Sequence, residues 1–162
     1  MKLQQLLNET DFEMTLPQVK AFFLGILSAD KPMPFPKAIE ELLAEFPDAK
    51  PVLEGELKKL WDELQSKRQA ELADMFPKTT DLTQFLEISK EQLDYFLTAM
   101  SLSGTNVETS DNDDMVGVID ELEEIVMDMD EYLAMDKPSQ EEGEEIKEFL
   151  LETWNDFIEA KQ

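Results

Sequence analysis

Between Ser110 and Asp128 the chain reads SDNDDMVGVIDELEEIVMD, dense in carboxylates that could hold a divalent cation or move a proton. An EF-hand calcium loop needs oxygen ligands at positions 1, 3 and 5, Gly at 6 and Glu at 12. With Gly117 as the sixth residue, Asn112, Asp114 and Glu123 fall correctly, but Val116 takes the fifth position and brings no side-chain oxygen. Met115, Val118 and Ile119 also run straight on as a helical apolar stripe, leaving no looped cage. Magnesium chemistry fits the spacing better. Glu121, Glu124 and Asp128 are set three and four residues apart, which gathers carboxylates on one helix face, and Glu145 with Glu148 repeats part of the pattern. Each residue turns a helix by about 100°. With Leu122 at zero, the expected buried stripe spans about −40° to +60°, while Glu121, Asp128 and Glu124 fall near −100°, −120° and −160°. That face is expected to look away from the core and to be solvated.

Absent residues narrow the chemistry further. The chain has neither cysteine nor histidine, which excludes structural zinc, thiol nucleophiles, Ser-His triads and the Glu-x-x-His di-iron pattern. Catalysis would have to use carboxylates, Lys, Tyr or an oxygen-bound cation. The enzyme alternative is therefore a magnesium-dependent hydrolase resembling the all-α nucleotide pyrophosphohydrolases, with Glu121, Glu124 and Asp128 as ligands.

Net charge is −24, and residues 105–162 hold 20 acids against 3 bases while residues 1–104 hold 18 against 11. Such a field repels nucleic acid and anionic membranes and attracts basic partners; it also serves solubility. Asp120, Glu121, Glu124, Asp128 and Glu131 form the centre of the acidic half. Met127 and Met135 lie among them as adaptable apolar contacts. Asp128, Asp130, Glu131 and Asp136 crowd the negative end of their helix with only Lys137 to offset them, an arrangement that the helix dipole disfavours.

The elements that must position these residues are all helical. Apolar residues recur at helical spacing almost throughout, with no long alternation of strand type, so the expectation is an all-α, single compact domain over residues 1–162 with about seven helices. Leu3, Leu6 and Leu7 mark a short first helix. Thr15 and Gln18 form a capping box before Val19, Phe22, Phe23, Ile26 and Leu27. The prolines of KPMPFP (31–36) end that helix, and Pro36 opens the next. One long helix is expected from Pro51 to Phe76, and another from Ser89, capped with Gln92, to a stop at Gly104. A polar loop covers 104–112. Ser110 or Asp111 then caps a helix from Asp113 to Met135 that buries Met115, Val118, Ile119, Leu122, Val126, Met129 and Leu133. The last helix turns Ile146, Phe149, Leu150, Thr153, Trp154 and Phe157 to the core.

Two details bear on packing. QVKAFFLGILS (18–28) and QLDYFLTAMSLS (92–103) align at an offset of 74, pairing Gly25 with Ala99, as expected of two core helices crossing at small residues. Arg68, the single arginine, is expected in the middle of an apolar stripe, where it needs a carboxylate as a structural ion pair.

The order of segments resembles the YecA/YgfB family of bacterial all-α proteins. The likeness is carried by LPQVKAFFLGILSADKPMPFPKAIEELL (16–43), by DYFLTAM (94–100), by an Ile/Leu-rich helix and by EEIKEFLLETWNDFI (144–158). The chain has Val19-Lys20-Ala21 where the family often has Leu-His-Gly or a similar pattern, and lacks the Cys-rich metal-binding tail of some members. The resemblance implies the fold and a bacterial cytoplasmic setting, and transfers no catalytic residue. The N-terminal MKLQQLLNETDFE, without the apolar core of a signal peptide, agrees with a cytoplasmic location. The function expected is a non-enzymatic binding or regulatory module, with no cofactor, metal, membrane or direct nucleic-acid contact. Its acidic C-terminal half would dock a basic protein, and a partner that otherwise binds nucleic acid would make it a DNA mimic.

Overall fold

The computed structural model describes residues 2–106, 108, 110 and 112–160. Among these it contains eight α-helices, one 3-10 turn and no strand. Helix α1 (Lys2–Glu9) leads to α2 (Leu16–Leu27), α3 (Phe35–Leu42), α4 (Lys50–Ser66) and α5 (Arg68–Ala73). Then come α6 (Leu82–Leu102), α7 (Asp113–Ala134) and α8 (Gln140–Ala160). The pair α2 and α6 forms the centre; α4 packs on α2, and α7 and α8 pack on α6 and on one another.

Local chemistry explains most boundaries. Thr15 and Gln18 close the capping box in both directions, at 3.4 Å and 3.0 Å. Pro34 precedes α3, with Pro36 in its first turn. Helix α6 ends in a Schellman motif: Gly104 has φ +85°, its N–H bonds the Ser101 carbonyl, and the Thr105 N–H bonds that of Met100, both at 2.9 Å. The start of the following loop is held down, because the Thr105 hydroxyl accepts the Asp30 N–H at 2.8 Å.

The core is rich in aromatic edges. Phe23 meets Trp61 edge-on at 5.2 Å. At the other end Trp154 stacks on Phe157 at 5.1 Å and receives the edges of Phe76 and Phe96. Its indole N–H donates to the Leu72 carbonyl at 2.7 Å, beside the Met75 N–H that the same carbonyl accepts at 3.3 Å, and so ties α8 to the end of α5.

Five expectations are corrected. The helix from Pro51 to Phe76 is two helices, broken at Lys67 (φ −118°, ψ 30°). Residues 65–71 offer no large apolar side chain, so nothing holds that turn to the α4 stripe, and the break redirects the chain until Leu72 meets α8. Helical phase is reset there, so Arg68 is not in the middle of a stripe. It lies half-buried at the start of α5, beside a hollow shared with Phe35 and Trp61.

Ser89 and Gln92 do not cap a helix. Helix α6 begins a full two turns earlier, with the Asp81 carboxylate accepting the Gln84 N–H at 3.0 Å, and both residues are buried inside it. For α7 the cap is Asn112, whose Oδ1 accepts the Met115 N–H at 3.2 Å; Ser110 instead donates to Asp30 at 2.7 Å. Asp111 lies outside the described residues. Finally, the buried face of α7 is rotated. Ile125 and Tyr132 are buried, while Val118, Val126 and Leu133 are half-buried, because α7 is pressed between α6 and α8 rather than against α6 alone.

Candidate functional site

Rotation of α7 changes the position of its carboxylates. Ile125 and Tyr132 carry the apolar arc to about −80° on the same wheel, next to Asp128 near −120°. Asp128 is exposed, as expected of that face, but it stands at the edge of the packed arc. Together with Glu131 it lines a hollow of about 370 Å³ between α7 and α8. From α8 come Glu142 and Glu145. The floor is apolar, made by Ile125, Tyr132, Met135, Ile146 and Phe149.

A specific contact near the α7–α8 connection holds the two helices that flank this hollow. Gly143 of α8 approaches Tyr132 so closely that a methyl group there would lie 2.5 Å from the phenol oxygen and 2.7 Å from Leu82 Cδ2. The Tyr132 hydroxyl donates to the Ser139 carbonyl at 3.0 Å, tying the connection between the helices to α7. Phe149, expected in the core, is instead 43 % exposed, and Met135 is 47 % exposed. Ile146 is half-buried. The sequence did show Phe149 as an apolar residue of α8, but its helical phase places it at the edge of the stripe, where neighbouring helices decide burial.

Of the acidic candidates, Asp128 and Glu131 are thus brought together with Glu142 and Glu145 around one apolar floor. Asp120, Glu121 and Glu124 stay exposed on the outer face of α7 and do not line this hollow, and Met127 stands 63 % exposed beside them. Lys90 of α6 reaches Asp130 at 2.6 Å, which offsets part of the unfavourable charge near the C-terminus of α7. Glu123 has its carboxyl held above the ordinary range, chiefly by partial burial and then by Asp120 and Glu108. Among the described residues no three carboxylates converge closely enough to form a ligand set for a metal ion. The rim is an electrostatic surface: four carboxylates and no cation bound the lining.

No protein-family model, curated protein or solved structure matches the chain. Among the described residues no helix is long and apolar enough to cross a membrane.

Proposed function

We propose that this protein is a non-enzymatic binding module whose α7–α8 groove receives a basic, amphipathic helix of a protein partner. The observation that carries this reading is the coincidence of exposed Phe149 and Met135 with a rim made wholly of carboxylates. An apolar floor takes the apolar stripe of a helix at i, i+3, i+4 and i+7. The acidic rim then selects Lys and Arg beside that stripe and rejects nucleic acid and anionic lipid. Where the partner's basic helix otherwise contacts nucleic acid, occupation of the groove would compete with it, which is the sense in which the domain would mimic DNA. Kinship with the YecA/YgfB family and a bacterial cytoplasmic setting belong to the same proposal, resting on the segments quoted above.

The test uses a synthetic helix-forming peptide of Leu and Lys in that register, labelled for fluorescence anisotropy. Saturable binding is expected, weakened by raised salt because exposed charges are screened beyond a Debye length. It should be lost in both Phe149→Ser and Glu145→Lys. Binding that survives Phe149→Ser would reveal unspecific charge attraction, and no saturable binding at low salt would also sink the proposal.

A further inference from the structure

A second cavity lies on the far side of α6, between α2 and the end of α5, and nothing in the groove described above accounts for it. It measures about 640 Å³, within the range of small-molecule sites. Leu16 and Leu24 of α2, Met75 and Phe76 after α5, and Ile88 of α6 supply its apolar walls. Gln92 of α6 lines it too, only 5 % exposed, and its Oε1 is shut off from solvent without a hydrogen-bond partner among the described residues. An unmet buried amide is costly, and native structures leave few. A half-turn about the soft terminal torsion brings Oε1 to the wall, where it can accept from one partner N–H.

The walls also carry two lysines, Lys20 and Lys78, and two carboxylates, Glu71 and Asp74. Lys78 pairs with Asp74 at 3.2 Å, but Lys20, half-buried on the α2 side, has no ion-pair partner among the described residues. Glu71 faces the cavity from α5, so an anionic group is favoured only at the α2 end.

We infer that this cavity binds a small acylated amino acid: an apolar acyl group on the Leu24, Met75 and Ile88 walls, an amide on Gln92, and a carboxylate on Lys20. The amide N–H supplies the donor that the Gln92 Oε1 lacks. The carboxylate gains a charge-assisted bond at Lys20.

N-hexanoylglycine is the probe, titrated while the methyl signals of Met75, Leu24 and Ile88 are followed by NMR. Saturable shifts of these methyls are expected at millimolar concentrations or below. Gln92→Leu should weaken binding about tenfold or more, as should Lys20→Gln. Hexanoylglycinamide, which lacks the carboxylate, should lose affinity for the unmodified protein to the same extent as Lys20→Gln does for the acid. Should Gln92→Leu fail to fold, the Lys20→Gln and amide comparisons decide alone. Absence of saturation, or equal affinity for the acid and its amide, would overturn the inference.

Discussion

Gly25 of α2 lies against Ala99 of α6 at the crossing of the two central helices. A methyl group built on Gly25 would sit 2.8 Å from the Ala99 Cβ and would also collide with the backbone carbonyl of Phe96. Backbone cannot swing aside as a side-chain tip does, so the small residue sets how closely the helices approach.

Gly25→Ala should therefore destabilise the fold by about 1–3 kcal/mol, the usual cost of overpacking, despite the better helix propensity of alanine. Urea denaturation measures this. Adding Ala99→Gly should restore only part of the loss, because the Phe96 carbonyl remains in place; full recovery would show that the side-chain contact alone governs the crossing.

Trp154→Phe removes the N–H that joins α8 to the Leu72 carbonyl and part of the stack on Phe157. A loss of about 2 kcal/mol is expected, combining one lost buried hydrogen bond with a small cavity; the Leu72 carbonyl keeps its bond from the Met75 N–H. Trp61, the other tryptophan, remains as a fluorescence reporter of unfolding. A change within experimental error would mean that α5 does not depend on α8.

Phe149→Ser tests whether Phe149 belongs to the groove or to the core. Because the side chain is substantially exposed, the cost should stay within about 1 kcal/mol. Phe157→Ser, on the same helix but fully buried, should cost about 4 kcal/mol. Similar losses of thermal stability in the two variants would place Phe149 in the core and close the proposed groove.

Glu123 makes stability depend on pH in a defined direction. Partial burial, then Asp120 and Glu108, raise its carboxyl above the ordinary value, so the folded chain binds this proton more tightly than the unfolded chain. Stability is then lost as pH rises from the ordinary carboxylate value through the raised one, and regained as pH falls back through that window. Glu123→Gln should stabilise by about 0.3 kcal/mol at pH 7, in line with relief of like charges one turn apart. The gain should shrink as pH is lowered toward 5, above the isoelectric point near 4.1. A gain that grows on acidification would contradict the assigned direction.

Much of this architecture was legible because its causes are local. Thr15 and Gln18 satisfy each other's backbone within one turn, the prolines after Lys31 forbid a continuous helix, and Gly104 adopts a positive φ that other residues avoid. The echo between α2 and α6 carried one non-local contact correctly, since Gly25 does meet Ala99. Other signals were local and misleading. Ser89 and Gln92 have the spacing of a cap, yet Asp81 provides a cap earlier and α6 runs through them, leaving two polar side chains inside the protein. That same misread Gln92 is the polar group of the second cavity.

The candidate groove was less legible because the carboxylate positions alone do not say which face meets a neighbour. Taken alone, the chain determined an all-helical fold, the absence of cysteine and histidine chemistry, and an acidic C-terminal half, all consequences of residue type and short spacing. Tertiary structure alone decided the break at Lys67, the rotation of α7 and the exposure of Phe149. The physical reason is that a helix has a wide apolar arc, and which part of it is buried depends on how many other helices press against it. For α7 there are two, α6 and α8, and the second of them brings exposed Asp128 to the edge of the hollow that Phe149 also lines.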